Sequence, residues 1–354
     1  MDKVSYAIIG FGGIAENRIA KEGFCMDRSR FEAHPAAELV GATDINGERK
    51  GTAEALGLKW YANEEEIFKD DAIEAVYVAT NNSTHAEMAL KVLESGKYCI
   101  IEKPIATKLE DAKRIHESAS EKGLSVFVDH MMRKNAFNLL ARERIEKKAI
   151  GTVNDINLHM EFSYGSTEEE AKTWRCAEPE ELGGPIGDVA SHCLYMGEFL
   201  IGSKVREIRC LYLPKTLKIK VENGAYVQLL FENGQQGTIR VAFNQPRGGL
   251  LGTLSNLGYE VYGTDGVIRG YATLFQLSGH KDEPVRIRLT EETANGLREL
   301  QPQKINNIYQ SLIQDHAFSI REGKPPTGED GLRNLEAVLA CHESAVENGK
   351  KVQL

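Results

Sequence analysis

The stretch from Val4 to Ala15 constrains this chain most. Val4 to Gly10 is an apolar run that reads as a strand, and Gly10-Phe11-Gly12-Gly13-Ile14-Ala15 follows at once. The pattern is G-x-G-x-x-A. Its first glycine permits a tight turn, and its second lets backbone approach a pyrophosphate. The small Ala15 lets the next helix pack close to the strand. The start of that helix offers free N–H groups and a positive dipole end to phosphate. Glycines also serve plain turns, but here they lie between a strand and a helix, the context that dinucleotide binding requires.

The alternation then repeats. Glu38 to Asp44, Glu74 to Thr80, Tyr98 to Glu102 and Leu124 to Val128 read as strands. Gly47 to Leu56, Thr84 to Ser95, Leu109 to Lys122 and Asn135 to Lys148 read as helices. Strands separated by helical segments of this length imply parallel βαβ units. Residues 1–128 are therefore expected to form a doubly wound, dinucleotide-binding α/β domain. Asp44 closes the second strand, where a carboxylate accepts from adenosine ribose hydroxyls and favours NAD over NADP. Capping of the next helix by Asp44 or Asn46 is the other account of it. Arg49 and Lys50 nearby keep NADP open. The polar loop Thr80-Asn81-Asn82-Ser83-Thr84-His85 lies at the same sheet edge. Thr80, Asn82 and His85 are candidate cofactor contacts, and helix capping by Ser83 or Thr84 is the alternative.

Tyr98-Cys99-Ile100-Ile101 reads as a strand buried on both faces, and it stops abruptly in Glu102-Lys103-Pro104. Pro104 cannot donate to a ladder and pushes Lys103 into an extended conformation. An ammonium group is thus held at the carboxyl end of a strand, the edge where open α/β sheets bind ligands.

After Gly151 the pattern changes to alternating strands. These are Val153 to Tyr164, Val205 to Leu213, Lys218 to Val221, Ala225 to Phe231, Gly237 to Phe243, Gly258 to Tyr262, Val267 to Tyr271 and Val285 to Leu289. Asn223-Gly224, Asn233-Gly234 and Asp265-Gly266 are hairpin signals. Residues 129–354 are expected to form an α+β domain with a large open, mostly antiparallel sheet, the last helix packing back near the first domain. A broad open sheet needs cover, which predicts a homodimer or homotetramer through that sheet. Within this domain lies Leu182-Gly183-Gly184-Pro185-Ile186-Gly187-Asp188-Val189-Ala190-Ser191-His192. A helix starting near Ile186 puts Asp188 and His192 on one face. A carboxylate beside an imidazole suits a general base for a hydroxyl proton; an ordinary surface pair is the plain account. Trp174-Arg175 offers an apolar wall and a bidentate donor for polyol or carboxylate oxygens, Trp174 serving either as wall or as core.

The formal net charge of −9 argues against nucleic acid or an anionic membrane as main partner. No apolar run approaches the ~20 residues that span a bilayer. Met1 to Tyr6 carries no signal-peptide pattern. The six scattered cysteines form no Cys-x-x-Cys pair, which predicts reduced cytoplasmic thiols, no disulfide framework and no metal site.

Together these pieces resemble the glucose–fructose oxidoreductase and inositol dehydrogenase family (Gfo/Idh/MocA) nearly end to end. The resemblance covers Gly10, Gly12 and Gly13, Asp44, the Asn82/His85 loop, Glu102-Lys103-Pro104, the stretch Gly183 to His192, Gly263-Thr264-Asp265-Gly266 and Gly328-Glu329-Asp330-Gly331-Leu332. It implies a Rossmann domain followed by an open sheet that mediates oligomers. It implies NAD, or NADP, held by Gly10, Phe11, Gly12, Gly13, Ile14, Asp44, Thr80, Asn82, His85, Glu102, Lys103 and Arg133. It further implies Lys103 between nicotinamide and substrate, often followed by a cis proline, and His192 as proton acceptor or donor assisted by Asp188. Substrate contacts would come from Lys103, Trp174, Arg175, Asp188 and His192. Asn81 departs from the family, where relatives often carry proline, and so does Met131-Met132, where relatives vary. The implied activity is a dehydrogenase acting on a sugar, cyclitol or derivative. A glycosidase using NAD transiently and a non-enzymatic NAD sensor are the alternatives.

Overall fold

The structure, a computed structural model, describes residues 2–245, 256–275, 286–323 and 326–354. It divides into two compact units, Met1–Met131 with Asn306–Leu335, and Met132–Ile305 with Glu336–Leu354.

The first unit is built on β1 (Val4–Ile9), β2 (Ala37–Thr43), β3 (Lys59–Trp60), β4 (Ala75–Val78), β5 (Tyr98–Ile101) and β6 (Val126–Val128). Every pairing is parallel, in the order β3-β2-β1-β4-β5-β6. Helices cover the sheet, so its central strands carry apolar residues without alternation. All of β4 is buried, as are Cys99, Ile100 and Ile101 of β5. The helices Ala15–Gly23, His85–Glu94 and Leu109–Lys122 link successive strands, and Gly123 ends the last of these in a left-handed conformation. Asn307 caps a further helix, Ile308–Glu322, by accepting from the Tyr309 and Gln310 amides. His316 of that helix meets the Tyr6 hydroxyl of β1 at 2.8 Å through Nδ1. Strand order reverses between β1 and β4, which makes their carboxyl ends the ligand edge.

The second unit carries a nine-stranded sheet, ordered β14-β13-β12-β11-β7-β10-β9-β8-β15. Its strands are β7 (Val153–Glu161), β8 (Val205–Tyr212), β9 (Gly224–Phe231), β10 (Gln236–Ala242), β11 (Leu257–Gly263), β12 (Gly266–Tyr271), β13 (Arg288–Thr293), β14 (Gly296–Leu300) and β15 (Val352–Gln353). Among the described residues only the β7–β10 pairing of this sheet is parallel, so the mostly antiparallel sheet that the alternation predicts is present. Asn233-Gly234 and Asp265-Gly266 mark the β9–β10 and β11–β12 turns. Two expectations are corrected. Lys218 to Val221 is not a strand, and Asn223-Gly224 is not a two-residue hairpin. The Asn223 side chain donates to the Pro214 carbonyl and the Thr216 hydroxyl, and it accepts from the Leu217 amide. This wraps residues 213–223 into a loop between β8 and β9. Of the strand predicted from Val285 to Leu289, Val285 lies outside the described residues, and β13 begins at Arg288.

Candidate active site

In the first unit, Gly10 ends β1 with φ +89°. A Cβ there would stand 2.6 Å from the Ala79 carbonyl carbon and 2.7 Å from the Thr80 nitrogen. Only glycine lets the turn after β1 meet the loop after β4 this closely. Gly12 and Gly13 have no described atom within 4 Å of where a Cβ would be. The turn therefore presents bare backbone to open space beside the start of helix Ala15–Gly23, which fits a pyrophosphate. Ile14 is 41% exposed at that end, whereas the Phe11 ring is fully buried. Phe11 offers the site only its backbone.

Asp44 is half-buried just past β2, and its Oδ1 accepts from the Asn46 amide at 2.8 Å. Asn46, not Asp44, caps the following turn by accepting from the Glu48 amide. Thr80 and Asn82 are half-buried at the same edge. The Thr84 hydroxyl turns back to the Asn81 carbonyl and the Thr80 hydroxyl instead of capping its helix. His85 is fully buried, so the expected cofactor contact from its ring is corrected. Its Nδ1 lies 2.7 Å from the Pro104 carbonyl and its Nε2 lies 3.1 Å from the Thr80 carbonyl. His85 thus fastens the loop after β4 to the loop after β5.

Lys103 stands at the end of β5, half-buried, and the Lys103–Pro104 bond is cis. Its amide donates to Glu102 Oε2 at 3.2 Å. Behind it lies a cluster that sequence reasoning missed. The Tyr77 hydroxyl reaches Asp129 Oδ2 at 2.5 Å and Glu102 Oε1 at 3.3 Å. Burial raises the pKa of both carboxyls, and the neighbouring Glu102 charge raises that of Asp129 further. Lys103 acts in the opposite direction on both. The sequence signal was a carboxylate placed one residue past each of two adjacent buried strands.

In the second unit, a helix of π character spans Pro185–Ala190 and continues as the α-helix Ser191–Ile201. It begins after Gly184, whose φ is +81° and whose Cβ would stand 2.6 Å from Glu222 Oε1. The same Glu222 oxygen accepts from the Ile186 amide at 2.7 Å. A carboxylate from the β8–β9 loop thereby takes one of the free N–H groups at the start of the helix that bears Asp188 and His192. His192 Nδ1 meets the Tyr195 hydroxyl at 2.8 Å, with both side chains buried. Asp188 Oδ2 accepts from Arg175 Nε at 3.0 Å. The hydroxyl of Tyr195 orients the imidazole, and Asp188 holds Arg175. Arg175 lies 4.6 Å over the half-buried Trp174 ring. Arg133 lies 5.5 Å over the Tyr195 ring, grouping it with His192.

Among the described residues, no group of three or more His, Cys, Asp or Glu side chains is placed to hold a metal ion. No helix there is long and apolar enough to cross a membrane.

A doubly wound sheet with an open glycine turn, a lysine on its ligand edge and a histidine helix in a second unit defines a nicotinamide-dependent oxidoreductase. The family profile described as "Oxidoreductase family, NAD-binding Rossmann fold" matches residues 4–130, and the Gfo/Idh/MocA C-terminal domain matches residues 138–269. The chain belongs to the Gfo/Idh/MocA oxidoreductase family. It is 27% identical over 338 residues to a 1,5-anhydro-D-fructose reductase of Ensifer adhaerens, covering 95% of this chain and 96% of that one. It is 26% identical over 370 residues to the NAD-dependent scyllo-inositol 2-dehydrogenase of Bacillus subtilis, covering 99% and 96%. Its fold matches a levoglucosan dehydrogenase solved with NADH and levoglucosan, with TM-score 0.81, 21% identity and 99% of each chain covered.

Proposed function

We propose that this enzyme moves a hydride between a nicotinamide and a hydroxyl-bearing carbon of a sugar, cyclitol or derivative. The observation that carries this reading is the tie from coenzyme turn to lysine. Gly10 abuts Ala79 and Thr80, and His85 joins Thr80 to Pro104. Lys103 is thus registered to the glycine turn by close backbone packing and the His85 ring. The bound nicotinamide supplies the hydride acceptor or donor. Asp44 takes a ribose hydroxyl, and Gly12, Gly13, Ile14, Thr80 and Asn82 line the coenzyme. Lys103 donates a hydrogen bond to the reacting oxygen. His192, oriented by Tyr195, takes the hydroxyl proton on oxidation and returns it on reduction. Arg175 and Trp174 hold the rest of the polyol, and Arg133 steadies the His192–Tyr195 pair. The names of the relatives, a sugar reductase and an inositol dehydrogenase, support the substrate class.

The test is nicotinamide absorbance on mixing the chain with NAD or NADP and a panel of inositols, aldoses and their keto forms. The expected result is turnover that Lys103→Ala lowers by at least about 100-fold while coenzyme still binds. Equal rates in both proteins would remove Lys103 from the mechanism.

The working form is proposed to be a cytoplasmic homodimer or homotetramer joined through the nine-stranded sheet. Half-exposed Leu211, Tyr226 and Tyr262 on that sheet support the contact. Six buried free thiols support a reducing compartment. Light scattering that gives a monomer mass at micromolar concentration would refute the assembly.

A further inference from the structure

The loop after β2 returns to the glycine turn through one arginine. Arg49 Nε donates to the Phe11 carbonyl at 2.7 Å, inside the turn itself. Its Nη2 donates to Glu16 Oε2 at 2.5 Å. Glu16 belongs to the first turn of helix Ala15–Gly23, where an unneutralised carboxylate would repel a pyrophosphate. Its other oxygen takes Lys21 Nζ at 2.5 Å. Arg49 and Glu16 are both largely shielded, with side chains 25% and 16% exposed. Five residues before Arg49 stands Asp44, the carboxylate at the ribose end of the site.

These charges make a choice between coenzymes. A ribose 2′-hydroxyl donates to a carboxylate, whereas a 2′-phosphate needs a cation with donors to spare and is repelled by carboxylates. Arg49, six residues past β2, is the cation bonded to the turn itself. Its Nη2 is turned to Glu16, which Lys21 shares, and its Nε is committed to Phe11.

We propose that Glu16 sets coenzyme preference by latching Arg49 against the glycine turn, so that the chain takes NAD and holds a latent NADP site. The inference rests on the coenzyme-binding part of the proposed function. Without the Glu16 charge, Arg49 stays held to the Phe11 carbonyl and its remaining donors are released toward a 2′-phosphate.

The experiment titrates the full-length chain with NADH and, separately, NADPH, following nicotinamide fluorescence. Wild type is expected to bind NADH at least about tenfold more tightly than NADPH. Glu16→Gln raises NADPH affinity by about tenfold and leaves NADH within about threefold. Adding Arg49→Gln to Glu16→Gln cancels the gain. Glu16→Ala repeats the measurement, and circular dichroism checks that each variant is folded. An unchanged NADPH affinity in both Glu16 variants overturns the inference, as does a gain that survives loss of Arg49 or a wild type that binds NADPH equally well. A folded wild type that binds neither coenzyme overturns the proposed function, and this inference with it.

Discussion

Tyr77 donates its hydroxyl to Asp129 Oδ2 at 2.5 Å, beneath the backbone that carries Lys103. Glu102 shares that hydroxyl, so two carboxyl groups and one phenol occupy a single buried pocket of polarity. Burial and the neighbouring Glu102 charge raise the pKa of Asp129 well above the ordinary aspartate value, so the folded chain holds that proton to higher pH than a free aspartate does.

A stability trend follows from that proton. In the unfolded chain an aspartate releases it above about pH 3.9. The folded pair releases it at higher pH, so between the unfolded and the raised folded pKa the folded state binds more protons and rising pH favours unfolding. Asp129→Asn keeps a polar partner for Tyr77 and removes the titration. The variant is expected to lie within about 1 kcal/mol of wild type near pH 5 and to become the more stable of the two by pH 8. Urea melts at both pH values check this, and a stability difference that does not vary with pH would count against the shared proton.

Gly10 supports a sharper expectation. Its φ of +89° and the 2.6 Å approach to the Ala79 carbonyl leave no room for a methyl group. Gly10→Ala should separate the turn after β1 from the loop after β4, at a cost of about 1–3 kcal/mol. NADH affinity should fall by at least about tenfold, because the amides that face the pyrophosphate move with the turn. Fluorescence titration reads the affinity, and full NADH binding by a folded Gly10→Ala would show that the turn is not the coenzyme cradle.

The histidine helix separates two roles. Tyr195→Phe removes the partner of His192 Nδ1 and nothing from the Arg175–Asp188 pair. It should lower kcat by about tenfold and shift the pH profile of kcat, with KM little changed. Asp188→Asn should instead raise KM, because Arg175 loses the carboxylate that aims it. The opposite split, with kcat tracking Asp188 and KM tracking Tyr195, would make Asp188 the group that orients His192.

Much of this was legible in sequence because it is local or periodic. The glycine turn, the strand ending at Lys103 and the alternation beyond Gly151 each show within a dozen residues. What escaped was short, exposed or distant. β3 and β15 are two residues long and carry no period. β14 is an edge strand with four exposed residues, Leu297 among them, so it has no apolar face to read. Lys218 to Val221 alternates as a strand does, but the side-chain bonds of Asn223 hold the segment as a loop. The Tyr77–Asp129 bond joins positions 52 residues apart, and only the strand order brings them together. Tyr195 sits three residues past His192, a spacing that could have flagged it.

His316 gives the last test, and it concerns acid. Its ring is wholly buried, stacked edge-on to Phe127 at 4.9 Å and bonded to Tyr6. Burial pushes its pKa down to about 3. An unfolded histidine titrates near pH 6.5, so between these values the unfolded chain binds the extra proton. Folded stability is therefore whole above about pH 6.5 and drains away as pH falls toward 3, by on the order of 3 kcal/mol at pH 4. His316→Gln keeps a hydrogen-bonding side chain but loses the ring, at a cost of about 2–3 kcal/mol near pH 7. The variant does not titrate, so its deficit should close as the solution is acidified. Paired denaturation curves at pH 7, 5.5 and 4 follow that convergence. A gap of constant size across the three would mean that His316 does not drive the acid response, and that the carboxylates paired with arginine, such as Glu74 with Arg321, carry it instead.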